Sequence, residues 1–258
     1  MNRFLYSLVL YFSIPFAIFR LLIKDTHDAS WTRKLKNQFG IVEKIPGRVI
    51  WTHCVSVGEF NASKPLIQKL MSQYPNHQII ISTTTITGFN AVNNYYKNNV
   101  KHCFFPFDIP SILDSFIRKI NPEICILLET EIWPNLIHIL KKKNIPTTLI
   151  NARLSDKSFQ RYDKYSAKLV KASLNNLSLI CAQSSFSSDR FISLGANQEK
   201  MITTGSLKFD SDNTIDDKSI KTLKKIIGDR KITVFASTRE GEEKQIFKSY
   251  VNSADNIN

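Results

Sequence analysis

The sequence predicts an α/β fold, a parallel sheet covered by helices, on three observations. From Arg48 onward, short apolar, β-prone runs alternate with amphipathic stretches. The runs fall at 49–52, 78–82, 102–105, 124–128, 147–151 and 178–182, and helical patterns at 59–74, 88–97, 110–120, 134–143, 156–175 and 186–194 lie between them. Breakers such as Ser56, Gly58 and the threonines after residue 82 close the runs. Right-handed crossovers between such units give a Rossmann-like domain. No Gly-x-Gly-x-x-Gly follows the first strand, so a dinucleotide cofactor is not supported.

The chain has 258 residues, enough for one large domain or two modest ones, and a globular composition with 43% hydrophobic residues. A net charge of +13 implies an anionic partner: nucleic acid, acidic lipid or a phosphorylated substrate. No zinc-ligand spacing or RNP-type motif favours nucleic acid. Cys54, Cys103, Cys125 and Cys181 are far apart and mostly in strand-like runs, which fits reduced thiols in a cytosolic compartment and not a metal site.

Residues 4–23 are nearly all apolar, interrupted by Pro15 and Arg20, and basic residues follow from Lys24. No small-residue cleavage site follows, so the segment reads as a membrane anchor at 1–24, either spanning the bilayer or lying in its interface. The positive-inside rule keeps the rest of the chain on the cytoplasmic face.

The first strand ends where Glu59 opens a helix, with Pro65 tolerated in its first turns. In open parallel sheets that edge binds ligands, although the helix dipole alone favours a carboxylate there. Thr83, Thr84, Thr85, Thr87 and Gly88 end the second strand, and offer either hydroxyls to phosphate or sugar or a plain turn and cap. Glu129 and Glu131 end the most apolar strand, 124–128, and Pro134 starts the next helix. Because parallel strands share one C-terminal edge, these carboxylates face the same crevice as Glu59. Arg153 ends the fifth strand and meets either an anionic ligand or one of those glutamates. Lys208 precedes a polar linker that starts at Asp210, where a lysine reaches a cleft or stays a surface charge. Beyond it come a helix at 220–227, a strand at 231–236 and a helix at 240–251. One strand and one helix cannot bury a core of their own.

Several of these strings resemble one family. His-Cys-Val-Ser-Val-Gly-Glu at 53–59, Glu-Thr-Glu-Ile-Trp-Pro-Asn at 129–135 and Gly-Ser-Leu-Lys-Phe-Asp at 205–210 are similar to motifs of the Kdo transferases. These enzymes add 3-deoxy-D-manno-octulosonic acid to lipid A precursors. Ala182-Gln183-Ser184 and the stretch 237–243 also resemble family segments, with Arg239 where the family pattern has His, a departure that bears on the local nucleotide or acceptor contact.

The resemblance implies a GT-B glycosyltransferase with two Rossmann-like domains, of which 25–209 is the acceptor domain. Residues 210–258 would be the linker and start of a donor domain that is largely absent. It implies CMP-Kdo as donor, a lipid A precursor (lipid IVA) as acceptor, and inversion at the anomeric carbon. Glu59 carries over as the general base, and Glu129 and Lys208 as transition-state stabilisers with Glu131 in reserve. Ser56, Gly58, Thr84 and Arg153 become substrate contacts. Neither cofactor nor metal is implied, and the setting is the cytoplasmic face of the inner membrane, among its lipids. A different class stands beside the enzyme: a truncated, non-catalytic membrane-bound fragment that binds acceptor lipid only.

Overall fold

The computed structural model describes residues 1–24, 30–210 and 217–254. The chain forms two compact units, Met1–Ser211 and Asp212–Asn258.

The first unit is built on a seven-stranded parallel sheet of β1 (Arg48–His53), β2 (His77–Thr83), β3 (Lys101–Phe104), β4 (Ile124–Leu128), β5 (Thr147–Ala152), β6 (Leu179–Ala182) and β7 (Met201–Thr203). Its strand order is β3-β2-β1-β4-β5-β6-β7. Every pairing is parallel, and β1 lies between β2 and β4, with Ile50 opposite Ile124 and His53 opposite Leu127. The order reverses at β1, so the chain winds outward in both directions and opens a crevice above the β1–β4 pair.

Helices α3 (Val57–Gln73), α4 (Ile86–Tyr96), α5 (Pro110–Ile120), α6 (Pro134–Lys142), α7 (Asp156–Asn176) and α8 (Ser185–Ser193) alternate with the strands. Strand residues alternate between two cores. Ile50, Ile79, Ile81, Ile126 and Leu128 pack with Phe60 and Ile67 of α3 and Val92 of α4. Trp51, Ile80, Cys125 and Leu127 pack with Leu113 and Phe116 of α5 and Leu136 and Leu140 of α6. Both faces are therefore covered, which is why the strands read as unbroken apolar runs and not as alternating ones. All four cysteines are free thiols.

All six expected strands and the six helices between them form. Two elements had no strong sequence signal. The three-residue β7 extends the sheet edge, and α2 (Trp31–Gln38) packs beside β3, where Asn37 Oδ1 accepts from the Phe104 amide at 3.0 Å.

The N-terminal helix α1 (Arg3–Lys24) forms as expected, but among the described residues no helix is long and apolar enough to cross a membrane. The helix is fastened to the domain by its first two turns. Tyr6 donates to Asp108 at 2.9 Å, and Ser7 and Arg3 donate to Asn135 Oδ1 at 3.0 and 3.4 Å. Asp108 in turn accepts from the amides of Asn135 and Leu136 at 3.1 and 2.8 Å, so it caps the start of α6. Phe4, Phe12, Phe16 and Phe19 stay exposed.

In the second unit the described residues form α9 (Asp217–Ile227) and α10 (Glu242–Ala254). The strand expected at 231–236 does not form: the segment is irregular, with Val234 78% and Phe235 52% exposed. A lone strand has no ladder to complete within this unit, and β-propensity alone does not hold one.

Candidate active site

The site lies at the C-terminal ends of β1 and β4. After β1 the chain turns at Ser56, whose hydroxyl caps α3 by accepting from the Glu59 amide at 3.3 Å. Glu59 sits in the third helical position, and its carboxylate reaches back to accept from the Val55 amide at 2.7 Å. This is a capping-box exchange shifted by one residue at the amide end. Gly58 is exposed at the second helical position, where an amide has no partner inside the helix. Thr84 donates to the Val55 carbonyl at 3.0 Å and ties the end of β2 to the same turn. That bond makes Thr84 a support of the Glu59 turn.

From the next strand, β4, come Glu129 and Glu131. Glu129 adopts φ 54°, the left-handed region that residues other than Gly, Asn and Asp seldom occupy, and Asn151 at the end of β5 has φ 51°. Glu129 in that conformation, beside an asparagine that adopts it readily, marks a turn held in shape by its surroundings. The Glu129 carbonyl accepts from the Arg153 amide at 3.4 Å, and Thr130 donates to the Arg153 carbonyl at 2.5 Å. The Arg153 side chain is exposed, and among the described residues it forms no ion pair with either glutamate. Asn151 Oδ1 accepts from the Leu207 amide at 3.1 Å, fixing the short 3-10 turn Leu207–Phe209 that carries Lys208. That turn lies beside α3, the helix that Glu59 opens. Residues from β1, β4, β5 and the segment after β7 thus meet at one edge.

Two carboxyls of this crevice, Glu59 and Glu131, are held back from ionising. Burial, with Glu129 nearby, raises Glu59 from 4.5 to about 7, although the Val55 amide and Ser56 hydroxyl oppose the shift. Glu131 is raised to about 7 by burial and by the charges of Glu59 and Glu129. A base that deprotonates a hydroxyl near neutral pH has a pKa in that range. His53, fully buried at the end of β1, is lowered by burial to about 3 and is neutral. Its Nε2 stands 4.0 Å from Glu131 Oε2. Sequence reading passed over His53 because a polar residue inside an apolar strand has no periodic signature. Only the neighbouring turn shows what it faces.

The raised carboxyls fix the direction of a pH effect. Between about 4.5 and 7 the folded chain keeps protons on Glu59 and Glu131 that the unfolded chain has released. Asp108, raised by burial from 3.8 to about 7, acts in the same direction. Stability from these groups is complete at low pH and is lost as pH rises through 7. The buried His53 and His102, lowered to about 3, act the opposite way, but only below their usual value of 6.5. Between about pH 6.5 and 8.5 the melting temperature is therefore expected to fall, and to fall less in E59Q/E131Q. An equal fall in that double variant would show that the site carboxyls are not its source.

Among the described residues no group of His, Cys, Asp and Glu is arranged to hold a metal ion.

Comparison with known proteins agrees with this geometry. A UDP-GlcNAc 2-epimerase from Neisseria meningitidis, solved with UDP-GlcNAc, shares the fold at TM-score 0.50 and 15% identity, over 70% of this chain and 53% of that one. The S. aureus MnaA–UDP structure shares it at TM-score 0.50 and 18% identity, over 66% of this chain and 47% of that one. The α/β fold is thus GT-B-like. A 3-deoxy-D-manno-octulosonic acid transferase of Haemophilus influenzae is 36% identical over 97% of this chain and 60% of its own length. A bifunctional glycosyltransferase/methyltransferase of Fusobacterium nucleatum is 36% identical over 93% of this chain and 38% of its own. The Bordetella pertussis 3-deoxy-D-manno-octulosonic acid transferase is 29% identical over 75% of this chain and 45% of its own. The chain therefore spans 60% or less of the length of these relatives. Residues 33–211, which hold the whole sheet and the carboxylate crevice, match the family of the 3-deoxy-D-manno-octulosonic-acid transferases (kdotransferases), and the chain belongs to that family.

Proposed function

We propose that this chain takes part in the transfer of Kdo from CMP-Kdo to a lipid A precursor, lipid IVA, in lipopolysaccharide synthesis. The observation that carries the reading is Glu59, a mostly buried carboxylate raised to about 7 at the sheet switch point and fixed by the Val55 amide. The Glu59 carboxylate takes the proton of an acceptor glucosamine hydroxyl. That oxygen bonds to the anomeric carbon of Kdo from the face opposite the donor phosphate. The bond from carbon to phosphate oxygen breaks, CMP leaves, and the configuration inverts. Lys208 meets the charge on the departing phosphate, and Glu129 stabilises the positive charge that develops on the sugar ring. Ser56, Gly58, Thr84 and Arg153 line the approach of the substrates, and Thr84 also ties the turn through its bond to the Val55 carbonyl. The chemistry asks for no cofactor, because CMP-Kdo is itself a substrate and cationic side chains serve the leaving group.

The acceptor is an amphiphile with two phosphates, which suits a basic protein at the cytoplasmic face of the inner membrane. In this proposal α1 lies in the bilayer interface, with Phe12 and Phe16 among the apolar residues that enter it. F12S/F16S is expected to lower flotation with anionic vesicles several-fold and leave the melting temperature of the domain in place. Unchanged flotation would remove α1 as the anchor.

The reading is tested by incubating the purified chain in detergent with lipid IVA and CMP-Kdo generated in situ. Transfer that requires Glu59 supports it. Acceptor binding without transfer favours the second reading, a non-catalytic fragment that holds acceptor lipid only. The observation behind that second reading is that the described residues of Asp212–Asn258 form two helices and no strand.

A further inference from the structure

Two buried polar atoms whose hydrogen bonding is incomplete, His53 Nε2 and Trp133 Nε1, flank one carboxyl in the turn after β4. His53 is fully buried, stacked on Phe105 with ring centroids 3.9 Å apart. Its Nδ1 lies 3.1 Å from the Ser82 carbonyl and 3.0 Å from Ser82 Oγ, and the Trp51 indole donates to the same hydroxyl at 2.8 Å. A carbonyl oxygen only accepts, so the first contact puts the proton on Nδ1 and a lone pair on Nε2. That lone pair has no partner, and Glu131 Oε2 stands 4.0 Å from it. The Trp133 indole N–H, also buried, lies by the same carboxyl and is directed toward it outside good hydrogen-bond geometry, a contact that opposes the rise burial causes in Glu131. His53 Nε2 needs a donor and Trp133 Nε1 needs an acceptor. A carboxylate offers only acceptors and would set its charge against the imidazole lone pair. A protonated carboxyl offers one O–H and one carbonyl oxygen, and answers both. A movement of about 1 Å brings its oxygen into hydrogen-bonding range of Nε2.

We propose that His53 is a positioning residue that holds Glu131 as a neutral carboxyl, with its O–H directed at His53 Nε2 and its other oxygen accepting from Trp133 Nε1. The carboxyl left to ionise is then Glu59, and the inference deepens, and rests on, the reading of Glu59 as the base. The titratable groups facing Glu131 are His53 from β1, Glu59 from α3, Glu129 from its own turn and Tyr162 from α7. Removing the imidazole frees Glu131 to ionise, and its charge then holds the proton on Glu59.

The test is a carbon-13 NMR titration of the full chain carrying glutamate labelled at the carboxyl, with E59Q and E131Q assigning the two resonances. Glu59 is expected to ionise first and Glu131 only at higher pH. In H53F the order is expected to reverse, with Glu59 moved upward by about one pH unit, and H53F/E131Q is expected to return it. Ionisation of Glu131 first in the unaltered chain would overturn the proposal, and that measurement stands even if H53F fails to fold. Unchanged midpoints in a folded H53F would overturn it too. The acid limb of the transfer-rate profile is expected to shift with the Glu59 midpoint. The titration requires no turnover, so a chain without transfer activity would defeat the functional reading and leave this one to be decided separately.

Discussion

Glu59→Gln is expected to abolish Kdo transfer while leaving the fold in place. Positioned general-base catalysis contributes about 10²–10⁴-fold, and an amide cannot take the hydroxyl proton. The Gln carbonyl oxygen still accepts from the Val55 amide, so the start of α3 and its Ser56 cap are retained. Removing a mostly buried carboxyl also removes its ionisation penalty, and the variant is expected to be at least as stable as the parent at pH 8. The measurement pairs transfer of labelled Kdo with a thermal melt. Normal turnover in a folded E59Q would remove Glu59 as the base, whereas lost transfer together with a lowered melting temperature would make Glu59 a helix cap and little more.

Lys208→Met carries the next largest effect. The side chain keeps its length and loses its charge, so it isolates the electrostatic contribution to the departing phosphate. Removal of one preorganised group that meets developing charge costs about 10²–10³ in kcat. Because the 3-10 turn is held by Asn151 on the Leu207 amide and by Ser206 on the Lys208 amide, its backbone does not depend on the lysine side chain. The loss is expected in kcat with little change in KM, and K208R is expected to recover part of it. A loss confined to KM would mean that Lys208 binds substrate equally in the ground and transition states.

The parallel sheet and the meeting of Glu59 with Glu129 and Glu131 were legible in the sequence for one physical reason. Strands buried on both faces are continuous apolar runs, and parallel strands end on the same edge. The strings around these residues supplied the family. His53 was not legible as a site residue, since its role depends on Ser82 in β2 fixing its tautomer and on the turn after β4 bringing Glu131 to its free nitrogen. Asp108 was missed for a similar reason: its partner Tyr6 is 102 residues away, and nothing in either segment announces the other. The strand expected at 231–236 shows the reverse error, where an apolar run met no ladder to join.

The bonds of Tyr6 and Ser7 to Asp108 and Asn135 make the N-terminal helix a bracket and not a tether. A domain on a loose leash samples all orientations above a membrane, and its active edge faces the lipid only part of the time. Here the first turns of α1 are bolted to the first turn of α6, which starts directly after Glu131 and Trp133. If α1 lies flat in the bilayer surface, as proposed above, these bonds would hold the crevice at a set height and tilt over the headgroups. Such a ruler would select an acceptor by how far its sugar hydroxyl stands above the acyl chains, so changes in headgroup geometry would matter more to turnover than changes in chain length.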